Sequence, residues 1–196
     1  HILPHWTWPG REGEVTPVFV YTNYPTAELF INGKSYGKQS KNNSSLKSRY
    51  RLMWMDAVYE PGEVKVVAYN KDGKAVAEKT VRTAGKPHHI ELVSNRNELT
   101  ADGKDLAYVT VKVVDKDGNL CPTDSRLIHF SVKGAGKFRA VANGDPTNLE
   151  QFHLPKMHAF HGMLTAIVQA GEIAGDLVLT AKASGVKTGT VHLQAK

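Results

Sequence analysis

The sequence predicts an all-β fold of two tandem sandwiches, on three observations. Segments of roughly four to eight residues rich in Val, Tyr, Phe and Thr recur about every eight to twelve residues. Each is bounded by Gly, Pro, Asn or Asp, the residues that turns require. No segment sustains the apolar spacing of a long helix.

In the first half, strands are expected over residues 18–21 and 27–31. Asn32-Gly33 then supplies the positive φ angles of a two-residue hairpin turn into residues 35–38. A polar loop, 41–45, precedes a strand over 49–55 that contains Trp54, which reads as core. Strands over 63–70 and 74–83 flank Asp72-Gly73, a second hairpin signal of type I′ preference.

Thr83-Ala84-Gly85-Lys86-Pro87 interrupts this pattern with small residues and a proline, as a linker between domains does. Beyond it, strands are expected over 88–94, 106–114, 127–132, 137–141, 163–169, 176–183 and 188–194, an immunoglobulin-like number. Alternation is clearest where Val109, Val111 and Val113 interleave with Thr110 and Lys112. Gly134-Ala135-Gly136 reads as a hairpin turn. The connector 142–162 carries no strong periodicity and is long for a compact domain. The expected organisation is two immunoglobulin-like β-sandwich domains, 1–85 and 86–196.

With a hydrophobic fraction of 41%, the chain can bury two cores. Its longest apolar runs fall far short of the roughly 18 to 20 residues that span a bilayer, so no membrane span is expected. The net charge of +6 divides between 12 basic and 8 acidic residues in 1–85 and 13 against 11 beyond. Lys34, Lys38, Lys41, Lys47, Arg49 and Arg51 form a basic stretch without a recognition helix or interleaved aromatics, so nucleic acid is not an expected partner. The single cysteine, Cys121, cannot form an internal disulfide and reads as a small apolar filler.

Hydrolysis of a glycosidic bond needs two carboxyl groups flanking the bond, one with a raised pKa. No such pair is evident, and no catalytic residue, cofactor or metal ligand is assigned. Asp145, in Asn143-Gly144-Asp145-Pro146-Thr147, suits a tight turn in which its side chain caps backbone amides. His153, His158 and His161 could converge on zinc only if their loop folded back, and they lack the spacing of a zinc helix. There is no Gly-x-Ser-x-Gly elbow.

The chain begins at His1, without Met or a signal peptide, and two of its three tryptophans fall within the first ten residues. It reads as a piece of a longer protein. Trp6 and Trp8 flank Thr7, so an extended segment would present both indoles on one side. That arrangement suits a sugar platform, or packing against a neighbouring domain or the chain's own sandwich.

HILPHWTWPG, PVFVYTNYPTAELFINGKSYG and YEPGEVKVVAYNKDGKAVAEKTVRTAG resemble the region that follows the catalytic barrel in family 2 glycoside hydrolases, chiefly Bacteroides-type β-galactosidases. ADGKDLAYVTVKVVDKDGNLCP, NGDPTNLEQF and AFHGMLTAIVQAGEIAGDLVLTAKASG resemble the immunoglobulin-like C-terminal domain of those enzymes, which is also similar to adhesin repeats. His161 stands where the resemblance leads one to expect Asn. The resemblance implies catalytic glutamates in an upstream barrel and none here. It implies non-catalytic accessory domains that support the barrel, its cleft or oligomer contacts, in a periplasmic, cell-surface or secreted bacterial protein. The alternatives are an autonomous carbohydrate-binding module using Trp6 and Trp8, and a structural spacer or adhesin-type stalk. The expected partner is the upstream barrel, and an oligosaccharide or polysaccharide is a second candidate. On this reading Trp6 and Trp8 are interface residues, exposed when the chain stands alone.

Overall fold

The computed structural model describes all 196 residues, in two compact units, His1–Thr83 and Ala84–Lys196. Both are all-β sandwiches. No helix is long and apolar enough to cross a membrane.

Unit 1 has seven strands: β1 (Ile2–Leu3), β2 (Val18–Val20), β3 (Thr26–Ile31), β4 (Lys34–Ser40), β5 (Leu52–Trp54), β6 (Glu63–Tyr69) and β7 (Ala75–Arg82). They form a three-stranded sheet, β1-β2-β5, and a four-stranded sheet, β4-β3-β6-β7. Period-two alternation decides what each buries. Ala27, Leu29 and Ile31 of β3 and Val64, Val66 and Ala68 of β6 turn inward. Val18, Val20, Leu52 and Trp54 turn inward from the other sheet. Trp6, Ala57 and Tyr59 complete this core from outside the strands.

Unit 2 has nine strands: β8 (His89–Ser94), β9 (Glu98–Leu99), β10 (Leu106–Val114), β11 (Leu127–Gly134), β12 (Gly136–Ala142), β13 (Lys156–His158), β14 (Met163–Ala170), β15 (Gly175–Lys182) and β16 (Gly189–Ala195). One sheet runs β12-β14-β10-β8, the other β13-β11-β15-β16-β9. Val109, Val111 and Val113 are fully buried and face Leu177, Leu179 and Ala181 within one core.

One turn follows the sequence expectation and two differ from it. Asn32 and Gly33 have φ of 48° and 81°, as a two-residue primed turn demands. Asp72 does not share that sign. The second hairpin instead closes as a turn from Asn70 to Gly73, with Gly73 alone at positive φ and Asn70 Oδ1 accepting the Asp72 and Lys74 amides. Gly134-Ala135-Gly136 is not a hairpin, because β11 and β12 lie in different sheets. It is the corner by which the chain crosses the sandwich. A Cβ on Gly134 would sit 2.0 Å from the Asp176 carbonyl oxygen, and one on Gly136 would sit 2.1 Å from the Leu177 side chain. The strand expected over 49–55 shortens to β5, and the connector 142–162 contains β13, which pairs with β11.

Candidate functional site

The first candidate is the tryptophan segment. The structure corrects the expectation that both indoles are exposed: Trp6 is 1% exposed and lies in the core of unit 1. The segment is not extended. The Trp8 indole Nε1 donates to the His5 carbonyl oxygen at 2.9 Å, and the Trp8 ring stacks on His5 with centroids 4.0 Å apart. The two indoles therefore do not form one platform. Trp8 is half-buried, with the Arg11 guanidinium 5.4 Å from its ring centroid.

What Trp6 does is structural and specific. Its Nε1 donates to the Glu60 carbonyl oxygen at 2.9 Å, its ring meets Tyr59 edge-on, and the Tyr59 hydroxyl accepts the Trp8 amide at 3.1 Å. The Thr83 hydroxyl donates to the Trp6 carbonyl oxygen and accepts the Gly62 amide. Asn32 joins the same network: its Oδ1 accepts the Glu63 amide at 2.8 Å and its Nδ2 donates to the Pro61 carbonyl oxygen. Gly62 is required there, because a Cβ would fall 2.1 Å from Asn32 Oδ1 at a φ of +137°. The three motifs HILPHWTWPG, INGK and YEPGE are thus one hydrogen-bonded cluster.

The second candidate is the loop around Asp145. Asp145 Oδ1 accepts the Thr147 amide at 2.8 Å and its hydroxyl at 2.7 Å. These bonds hold the carboxyl below its ordinary value, the Thr147 amide being the main cause. Asn143 Oδ1 accepts the Asp145 amide, and Asn143 Nδ2 donates to the His158 carbonyl oxygen. The three loop histidines go separate ways. His158 Nδ1 faces Glu150 Oε1 at 3.0 Å, His161 Nδ1 lies 3.3 Å from the Pro122 carbonyl oxygen, and His153 is exposed. No group of three or more His, Cys, Asp and Glu side chains gathers as a metal site. His161 has a φ of 51°, a left-handed conformation that Asn adopts more readily than most residues.

Asp115 is the acid that sequence reading passed over. It is 2% exposed, yet accepts four hydrogen bonds, from the amides of Gly85, Asp117 and Asn119 and from Asn119 Nδ2. Burial pushes its pKa up, but these bonds outweigh burial and bring it to about 2. The only signal in the sequence was Asp115-Lys116-Asp117-Gly118-Asn119, a turn pattern that does not announce burial. Asp124 is also spent locally, paired with Arg126 through both carboxylate oxygens. Beside it, burial pushes the Cys121 thiol up to about 11, so it stays protonated and inert.

A shallow cavity of about 500 Å³ lies at the Gly134-Ala135-Gly136 corner, with Lys137 and Glu172 as its only ionisable lining groups. Its walls carry no aromatic ring.

Residues 90–192 match the glycoside hydrolase family 2 C-terminal domain 5, and residues 13–77 match a domain of unknown function. A β-galactosidase of Bacteroides ovatus is 41% identical over 197 residues, covering 100% of this chain and 22% of its own. A β-glucuronidase of Formosa agariphila is 27% identical over 198 residues, covering 100% of this chain and 19% of its own. The crystal structure of a β-glycosidase from Bacteroides vulgatus superposes with a TM-score of 0.90 at 31% identity, covering 100% of this chain and 24% of that one. The chain thus spans about a fifth of the length of the curated relatives it matches. With the family match running through most of unit 2 and the full-length superposition, the chain belongs to the glycoside hydrolase family 2 C-terminal domain 5 family.

Proposed function

We propose that this chain is a non-catalytic accessory module of an exported, β-galactosidase-like family 2 hydrolase, supporting the catalytic barrel, its cleft or its oligomer contacts. One observation carries the reading: residues 90–192 match the family 2 C-terminal domain 5, and the chain covers only 22% of the Bacteroides ovatus β-galactosidase it resembles. The aspartates with displaced acidity, Asp102, Asp105, Asp115 and Asp145, are all displaced downward, and each accepts hydrogen bonds from backbone amides. A glycosidase needs the opposite in one of its two carboxyls, a proton retained near neutral pH for the leaving group. These groups are built to stay ionised and to hold turns. The length of the relatives beyond the matched segment leaves room for catalytic machinery elsewhere.

The test is to delete this segment from the intact hydrolase that carries it. Melting temperature, kcat/KM on galactosides and oligomeric state are then compared with those of the whole enzyme. Loss of stability or assembly with residual turnover is expected, because the reacting carboxyls would remain. A truncated enzyme unchanged in all three respects would contradict an accessory role.

A further inference from the structure

Two half-buried imidazoles outside these clusters, His88 and His89, meet at the entry to β8. Their backbone is held on two sides. The His88 amide donates to the Val114 carbonyl oxygen at 2.8 Å, and the His88 carbonyl oxygen accepts the Lys187 amide at 2.8 Å. His89 stands in register with Val114 of β10. The rings are nearly perpendicular, at 88° with centroids 5.2 Å apart, and their Nδ1 atoms lie 3.0 Å from one another.

At that distance one Nδ1 carries a proton and the other offers a lone pair. A divalent cation can take the place of this proton once both rings turn their Nδ1 lone pairs toward a point beside the Nδ1–Nδ1 line. Metal–nitrogen bonds of about 2.0 to 2.1 Å spanning the same gap subtend about 95° at the ion. That angle is close to the right angle between neighbouring ligands in square-planar and octahedral sites, and well below the tetrahedral value that zinc prefers. We propose that His88 and His89 form a two-imidazole chelate for a divalent transition ion of tetragonal preference, Cu(II) first and Ni(II) second, with water in the remaining positions. Each Nδ1 gives one electron pair to the ion. The ring that had donated through Nδ1 carries its proton on Nε2 instead, so binding to the neutral pair releases no proton. This inference stands apart from the accessory role proposed above.

The test uses copper(II) chloride added in substoichiometric steps to the ¹⁵N-labelled chain carrying His1→Ala, which removes the amine–imidazole chelate of the first residue. Paramagnetic loss of amide signal is expected first at His88, His89, Ile90, Val114 and Lys187. His88→Ala and His89→Ala should each abolish that localised loss, while His129→Ala should leave it in place. If an alanine variant loses spectral dispersion, His88→Gln or His89→Gln takes its place. Zinc chloride at equal concentration should not protect these signals from copper. Signal loss centred elsewhere, no localised loss, or loss that survives both substitutions would overturn the proposal.

Discussion

Replacing Trp6 with alanine is expected to cost unit 1 about 3–5 kcal/mol, the range for truncating a fully buried large aromatic. The indole is 1% exposed, so its removal leaves a cavity beside Tyr59, within the core that Trp54 and the inward residues of β3 and β6 share. It also orphans the Glu60 carbonyl oxygen and loosens the cluster that joins Asn32, Gly62 and Thr83. For a domain of this size the melting midpoint should fall by at least about 12 °C. Hydrogen exchange should locate the loss of protection in β2, β3 and β5. Trp6→Phe should fall between Trp6→Ala and the parent chain, because it keeps one aromatic ring while losing the Nε1 donor, worth about 1 kcal/mol, and part of the buried volume. If Trp6→Ala melts like the parent chain, the indole is not the core element described.

Asp115→Ala should be comparably damaging in unit 2. It strands four donors at once, among them the Gly85 amide at the entry to the unit. Hydrogen bonds to a charged acceptor contribute about 1.5–3 kcal/mol each, and water can take over part of the deficit at the exposed Gly85 and Asp117, so a loss of at least about 3 kcal/mol is expected. The same carboxylate sets an acid dependence with a definite sign. Its pKa is lowered from 3.8 to about 2 on folding, so its contribution is fully present above pH 4 and is lost as pH falls toward 2. The displacement corresponds to about 2 kcal/mol. Chemical denaturation between pH 6 and pH 2 should show this loss in the parent chain and its absence from Asp115→Asn. A pH profile unchanged by Asp115→Asn would show that the carboxylate does not carry the effect.

The sandwich architecture was legible because alternation is a strong signal where one strand face is buried. Val109, Val111 and Val113 read as inward from the sequence and are fully buried. Asn32-Gly33 was legible because both residues must take positive φ. Asp72-Gly73 and Gly134-Ala135-Gly136 were ambiguous for a physical reason. A single left-handed glycine serves a bulged turn, a hairpin or a corner between sheets, and only strand pairing separates them. β1, β9 and β13 are two or three residues long, too short to show any period.

The tryptophan segment was misread through its local backbone. Alternation places Trp6 and Trp8 on one side only if the chain is extended, but the chain bends here and Trp8 turns back onto His5. Asp145 was legible because Asn-Gly-Asp-Pro-Thr is a turn sequence whose hydrogen bonds are local. Asp115 was not, since one of its four donors, Gly85, lies thirty residues away and only the tertiary fold brings it there.

The accessory role is tested most directly by turnover of the purified chain itself. Incubated with chromogenic β-galactosides and β-glucuronides, it should release no chromophore above the buffer rate across the pH range in which it stays folded. Turnover that copurifies with the chain and disappears on substitution of a single Asp or Glu would contradict the account.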